Sequence, residues 1–453
     1  MSVRVDTHPS RGRVLTATRA FSAGQVLFED DALVAASWDA DVCLECAVDP
    51  TASDSMQGTH PSVECDDLER HGYPEQLRLA IDEVEEAVCE AICPGEAEDP
   101  EDSLDRARCL IRCLVMHGRG DGALLAPLAD LTVANAERDT RMAAAVRSAD
   151  AVRACGLLPD ALSDADVGQM LGALNTNSHT LDLGGSALFP LGAMMHSDCA
   201  PNCAYYTAVR GSRLTVVATR AIAAGEAVCI DYGNNFYRPT AERQDGLLAT
   251  YGFHCDCASC NELPDRCRAF WCPRCSEGIL APRGAGVDAG DWRCVSCDSV
   301  LSDSEREKFL AAEAELEETL DSEEAIEAAL RKECVLHPSH HAFFWCYKAL
   351  FDAMLEAQSP PQETERVWRI AIELAESVLT PNHPELFVMY DQLAQLRVPR
   401  DMPGAIAAWS QALELALLSA DPLTQTQTQS LLGRPPTSTH ELQARYAKQA
   451  KDR

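Results

Sequence analysis

The sequence predicts an α+β chain: a β-rich core split by a helical insert, cysteine loops that hold metal, and an α-helical C-terminal domain. Three observations predict it. A strand–glycine–strand segment occurs twice, far apart in the chain. Cysteines fall in tight pairs on turn-rich sequence. After Cys297 the pattern changes to Ala/Leu/Glu-rich helical periodicity.

The repeated segment comes first. Residues 17–26 (ATRAFSAGQV) read almost like residues 218–227 (ATRAIAAGEA), with β-branched or aromatic residues alternating around each glycine, the pattern of short antiparallel pairs. Two such units imply one β-domain interrupted by an insertion. The chain then divides into 1–36 (first part of the β-domain), 37–73 (a Cys/His loop), 74–170 (helical insert), 171–250 (β-core), 251–263 and 264–302 (two cysteine modules), 303–420 (helical repeats) and 421–453 (a tail). In the insert, Leu77, Ile81, Val84 and Val88 recur at helical spacing with acidic residues between them. Cys89, Cys93, Cys109 and Cys113 form i,i+4 pairs, readable as packed core residues or as a thiol cluster on two antiparallel helices. The acidic, Pro-bearing stretch 94–105 reads as a solvated loop. Segments 306–320, 341–356, 363–379 and 403–418 suggest a tetratricopeptide-like stack, and the Thr/Gln/Pro-rich stretch 421–440 reads as disordered.

Composition narrows the function. At 453 residues the chain has material for several cores, and 46% hydrophobic with 24% charged residues fits neither a collagen-like nor a disordered class. A formal net charge of −33, from 38 Lys plus Arg against 71 Asp plus Glu, repels a phosphate backbone, so no direct nucleic-acid partner is expected. No apolar run is long enough for a membrane span, and the N-terminus lacks an apolar signal core, so cytoplasm and nucleus are the expected compartments. In a reducing cell, 21 cysteines point to metal ligation and burial before disulfides. Cys255-x-Cys257-x2-Cys260, and Cys272-x2-Cys275 with Cys294-x2-Cys297, have the spacing that lets one tight turn supply two thiolates to a tetrahedral zinc. Cys43, Cys46, His60 and Cys65 have a looser spacing that fits either a single zinc site or a loop without metal.

Three polar segments stand beside these clusters. Arg11-Gly12-Arg13 sits at a turn before a strand, where backbone N–H groups and a guanidinium can meet a carboxylate. Asn177-Ser178-His179 and the loop 195–203 (MHSDCAPNC) form the second group. The third runs through Ile230-Asp231-Tyr232-Gly233 to Tyr251-Gly252-Phe253-His254 and the Cys255 cluster.

Together these residues resemble the SET-domain protein lysine methyltransferases, and among them the SET-and-MYND (SMYD) family. The split order, the Gly225-Glu226 to Asp231-Tyr232-Gly233 segment and the Tyr251 to Cys260 ending carry the resemblance, which runs from Arg11 to about Leu418. It implies methyl transfer from S-adenosylmethionine to a lysine of a protein or peptide, with structural zinc, by a monomer. By resemblance Tyr232 is the catalytic tyrosine and Tyr251 the channel wall, while Arg11, Gly12, Arg13, Asn177, His196, Ser197, Tyr251 and Phe253 hold the cofactor. Cys199 becomes the fourth ligand to the zinc of Cys255, Cys257 and Cys260. The chain also departs from the family: His196 stands where Asn is usual, Ser197 where His is usual, and Val14 where a Gly usually follows Gly-Arg. The short 37–73 loop keeps half of a MYND module's ligands. These departures leave a second reading open, a catalytically silent scaffold for protein partners. An acidic surface would attract Lys/Arg-rich substrates at long range.

Overall fold

The structure, a computed structural model, describes residues 2–8, 12–37, 75–92, 103–131, 133, 138–154, 162–181, 184–207, 213–233, 237–261, 265–275, 278–282, 292–319, 325–326 and 335–452. Arg11, Cys43, Cys46, His60, Cys65 and Cys93 lie outside these residues.

The β-core is assembled from both ends of the split domain. Strand β1 (Val3–His8) pairs antiparallel with β2 (Gly12–Ala17), and β3 (Val26–Asp31) pairs with β9 (Arg213–Ala218), which also pairs with β8 (Cys203–Thr207). A second small sheet joins β4 (Val34–Ala36), β6 (Ser186–Leu188) and β5 (His179–Thr180). In a third, β7 (His196–Ser197) runs parallel to β10 (Cys229–Ile230). Leu15, Phe21, Leu27, Phe189, Leu214, Val216 and Val228 fill the space between.

The two repeated segments pair with each other rather than each within itself. Phe21 and Ile222 bridge, the Gly225 N–H donates to Ala17 O, and the Gly24 N–H donates to Ala218 O. Both glycines are left-handed, with φ of +80° and +86°, so each turn sends its second strand away from its first and leaves the edges to the other unit.

The insert packs α1 (Ile81–Ile92), α2 (Leu104–Met116), α3 (Arg138–Ala154) and α4 (Asp164–Asn177) around Val84, Val88, Leu110, Leu114 and Leu171. Cys89, Cys109 and Cys113 lie inside this core, and burial pushes the Cys109 thiol well up and the Cys113 thiol up to about 12. Cys109 and Cys113 behave as small apolar fillers with little thiolate to ligate or oxidise. Ser163 and Asp166 form a reciprocal capping box that starts α4, whose last residue is Asn177.

Beyond the core come α5 (Thr240–Tyr251) and α6 (Ala258–Asn261), then a ribbon of β11 (Phe270–Trp271), β12 (Ile279–Ala281) and β13 (Arg293–Cys294). The C-terminal domain holds α7 (Asp303–Thr319), α8 (His341–Glu356), α9 (Pro361–Val378), α10 (Pro384–Arg397) and α11 (Met402–Ser419). Tyr237, 1% exposed, stacks on Phe344 at 4.2 Å, tying the chain just after Tyr232 into this domain.

The tail expected to be disordered is helical, as α12 (Pro422–Gly433) and α13 (Thr439–Asp452). Asp421 caps α12 by accepting from Leu423 N and Thr424 N, and Pro422 occupies its first turn. The Thr/Gln composition has too little apolar content to fold alone, but Leu431 and Leu442 bury against the preceding helices. Tyr446 Oη donates to Asp391 Oδ1 at 2.6 Å.

Histidine caps make the helical domain acid-sensitive. His383 Nδ1 accepts from Glu385 N at the start of α10, and His340 Nδ1 accepts from Ala342 N at the start of α8. Burial lowers His383 to about 4, against an ordinary 6.5, and lowers His340 as well. A lowered native value means stability that is complete above 6.5 and lost as pH falls through the native value, because the unfolded chain then binds more protons. We expect the urea midpoint to drop between pH 6.5 and pH 4. His383→Asn, which keeps an acceptor cap without the titration, should flatten that slope by roughly 2 kcal/mol. A wild-type slope in the variant would refute the assignment.

Candidate active site

The site grows from three chain segments that the core strands bring together. Tyr232 follows β10, Tyr251 ends α5, and Asn177 ends α4 and continues into His179 on β5. They surround an open cleft with about 470 Å³ of empty space, lined by Asn177, Ser178, His179, Tyr205, Tyr232 and Tyr251 together with Thr176, Thr180, Gly192, Ala193, Ile230 and Asp231.

The tyrosines hold each other in place. Tyr232 Oη donates to Met195 O, and Tyr251 Oη donates to Tyr232 O at 3.0 Å. Their ring centroids are 5.1 Å apart, with the Phe253 ring 6.3 Å from Tyr232 and 6.4 Å from Tyr251. Burial raises the Tyr232 phenol well above its usual value, and burial then Asp231 raise that of Tyr251. Both therefore stay neutral at physiological pH. Because each hydroxyl hydrogen is spent on a carbonyl, the oxygen lone pairs remain available as acceptors.

Other expected site residues stand behind this wall. Gly12 adopts φ +68° at the end of the β1–β2 hairpin, with Arg13 next to it on β2. β2 is tied to the segment before β10 by the Val228 N–H donating to Leu15 O. His196 and Ser197 lie on β7 with their backbone paired to Cys229 and Ile230, and His196 Nε2 is 4.0 Å from Asp256 Oδ1. Gly12, Arg13, His196, Ser197 and Phe253 do not line the cleft itself.

Residue patterns alone do not single out His179. It is 7% exposed, edge-on to Tyr205 and Phe189 at 5.2 and 5.7 Å, and burial lowers it to about 4, so it is neutral. Its Nδ1, with Ser178 Oγ and Ser197 Oγ, is a buried polar atom without a hydrogen-bond partner among the described residues. Its only sequence signal is the polar run Asn177-Ser178-His179, which a lone core histidine would also produce.

Two cysteine tetrads meet the geometry of zinc. Cys199, Cys255, Cys257 and Cys260 place their Sγ atoms within 4.8 Å of one another, as do Cys272, Cys275, Cys294 and Cys297. The Cys199–Cys260, Cys272–Cys297 and Cys275–Cys294 sulfurs are 3.6, 3.7 and 3.7 Å apart. A tetrahedron with Zn–S bonds of about 2.3 Å has edges of about 3.8 Å, so both tetrads fit structural zinc. Cys199 ties the loop 195–203 to the segment after Tyr251, which pins both sides of the cleft to one ion.

Gly278 supports the second tetrad: a Cβ there would sit 2.4 Å from Cys294 Sγ and 2.7 Å from Cys275 Sγ. Gly278→Ala should cost the ribbon its metal, lowering bound zinc from about two to about one per chain by elemental analysis. Full zinc content in that variant would contradict the geometry.

A third group, Glu313, His340 and His341, also lies within 4.8 Å. It is an ion-pair network, because Arg268 donates to both Glu313 oxygens at 2.8 and 2.6 Å and His340 Nε2 lies 2.8 Å from Oε1. The Arg268 guanidinium already supplies the positive charge a metal would bring.

Residues 12–233 match the family model of the SET domain. SmydA-8 isoform A, a SET domain-containing protein of Drosophila melanogaster, is 27% identical over 329 residues, which cover 66% of this chain and 65% of that protein. The histone-lysine N-methyltransferase set5 of Schizosaccharomyces pombe is 36% identical over 95 residues, 21% of this chain and 30% of that protein. The N-lysine methyltransferase SMYD2 of Homo sapiens is 38% identical over 76 residues, 17% of each chain. The chain thus spans just under two thirds of the length of SmydA-8 isoform A. Most of the split β-core and of the cleft lies within this match, so residues 12–233 carry a SET domain. Within that class the chain is similar to SmydA-8 over about two thirds of its length and to SMYD2 over a short stretch.

Proposed function

We propose that this protein is a protein-lysine N-methyltransferase that uses S-adenosylmethionine and acts on basic protein or peptide segments. The observation that carries the reading is the convergence of Tyr232 and Tyr251 on one cleft beside the SET-domain match, as neutral phenols whose hydrogens are given to backbone carbonyls.

S-adenosylmethionine, when bound, supplies a methyl group on a sulfonium. Asn177, Gly12, Arg13, His196, Ser197, Tyr251 and Phe253 are the described residues that would hold it, and Arg11, outside the described residues, is the further residue the resemblance implies. The buried partnerless Ser178 Oγ, His179 Nδ1 and Ser197 Oγ suit polar groups of a ligand, since such atoms otherwise cost about 1–3 kcal/mol each.

Transfer needs a neutral lysine amine, although free Lys titrates near 10.4. Desolvation between the tyrosine rings, once a peptide fills the cleft, lowers that value. Tyr232 and Tyr251 oxygens accept N–H hydrogen bonds and aim the nitrogen lone pair, without bringing a full charge. Asp231 at the cleft and the net charge of −33 favour Lys/Arg-rich substrates over acidic ones. The same charge speaks against nucleic acid, and no described helix is long and apolar enough to cross a membrane. The protein acts as a monomer in the cytoplasm, the nucleus or both.

The test is transfer of labelled methyl from S-adenosylmethionine to Lys-rich and Lys-containing acidic peptides, with products read by mass. Methylated lysine on the basic set supports the reading, and preference for the acidic set overturns the substrate class. His196, held near Asp256 where the family has Asn, favours the silent-scaffold reading instead. Calorimetry separates the two: no heat of S-adenosylmethionine binding in the wild type, recovered by His196→Asn, would establish the scaffold.

A further inference from the structure

Three of the four cysteines of the first tetrad are buried and Cys199 is half-buried, and one side chain is placed to answer the charge they would carry around a metal. Cys255, Cys257 and Cys260 are 3, 3 and 1% exposed. Four thiolates around Zn²⁺ sum to −2, a charge that is costly to bury without a counter-charge. The second tetrad lies nearer water, with Cys297 exposed, and its sulfurs take uncharged donors. Arg274 N donates to Cys272 Sγ at 3.4 Å, Ser296 N donates to Cys294 Sγ at 3.4 Å, and Ser299 Oγ is 3.1 Å from Cys297 Sγ.

At the first tetrad the corresponding donor is a cation. Arg243, in the first turns of α5, is 7% exposed, and its Nη2 donates to Thr240 Oγ1 at 2.9 Å and to Cys260 Sγ at 3.8 Å. Its Nη1 donates to Arg238 O, so the guanidinium is oriented by the chain that starts the helix. Asp265 shares in balancing the Arg243 charge, and it accepts from Thr240 N at 2.6 Å and from Cys267 N at 3.2 Å. The next residue completes the clamp. Gln244 Nε2 donates to Cys255 O at 2.7 Å, and its Oε1 accepts from Cys255 N at 2.8 Å.

We propose that Arg243 is the counter-cation of the zinc tetrathiolate formed by Cys199, Cys255, Cys257 and Cys260, and that it controls how tightly this site retains its metal. The guanidinium withdraws charge from Cys260 sulfur where both side chains are buried, so an ion–dipole or ion–ion contact is little screened. Because α5 carries Arg243 and Gln244 at one end and Tyr251 at the other, metal retention and the position of the cleft wall are set by one rigid helix. Arg243 is a positioning residue, and its role stands whether or not the protein transfers methyl groups.

The experiment is a chelator challenge of the full-length zinc-loaded protein, with pulsed cysteine alkylation read peptide by peptide, comparing wild type with Arg243→Gln. Losing an outer partner of a metal ligand typically weakens a site by about 10–100-fold. We expect Cys199, Cys255, Cys257 and Cys260 to become reactive faster by that factor, while Cys272, Cys275, Cys294 and Cys297 keep the wild-type rate. The second tetrad is an internal control in the same molecule. Wild-type rates at the first tetrad would overturn the proposal, and so would equal acceleration at both, which would report general loosening. Should Arg243→Gln not fold, Arg243→Lys keeps the charge without the fork. It should accelerate the first tetrad alone by a few-fold, and an unchanged rate there would also overturn the proposal.

Discussion

Tyr232→Phe should lower single-turnover methyl transfer by about 10²–10⁴-fold, the range for removing a positioned proton-handling or hydrogen-bonding group, while leaving S-adenosylmethionine affinity within a few-fold of wild type. The ring stays, so contacts with Tyr251 at 5.1 Å and Phe253 at 6.3 Å persist and the cleft keeps its wall. The oxygen proposed to accept from the lysine amine is lost. The variant also leaves Met195 O without its donor, at a stability cost of about 1 kcal/mol, too small to unfold the domain. Tyr251→Phe should have a weaker effect, because its hydroxyl bonds the backbone of Tyr232 and its oxygen is the second acceptor. Rapid-quench transfer to a basic peptide, with calorimetry on the same samples, checks both. A wild-type rate in Tyr232→Phe would remove Tyr232 from the chemistry and move attention to Tyr251 or His179.

How much of this was visible in the residues depends on the range over which each signal acts. The cysteine tetrads were, because two residues between ligands is a local rule that a turn must satisfy, whereas Cys199 joined its set only through family resemblance. The repeated glycine turns were visible, but not that Phe21 would bridge Ile222, since edge pairing is decided by which strand lies alongside. Helix α10 escaped notice because its start signal is a histidine cap at His383, a weaker cue than Ser or Asp. The tail was misjudged because Leu431 and Leu442 gain their burial from α8–α11, a surface absent from their own composition. Arg243 reads as solvent-facing in any helix pattern, and only its burial beside Cys260 shows otherwise. His179 is a single polar residue on a short strand, and only tertiary packing places it against Tyr205 at the cleft.

Cys257→Ala should do more damage than any surface change of its size. Structural zinc supplies apparent binding free energies of about 10–16 kcal/mol, comparable with the whole stability of a domain at about 5–15 kcal/mol. Three thiolates cannot complete the tetrahedron. Bound zinc should fall from about two to about one per chain, and the thermal midpoint should drop by several degrees or more. The effect should reach the cleft, because Cys199 holds the loop whose Met195 carbonyl takes the Tyr232 hydroxyl, and the other ligands follow directly on Tyr251. Cys297→Ala supplies the comparison: it also removes one ligand, but from the exposed ribbon. It should lose one zinc while leaving S-adenosylmethionine binding and transfer near wild type. If the two variants impair transfer equally, the pinning of the tyrosines by the first zinc is wrong, and both modules serve only to hold the chain together.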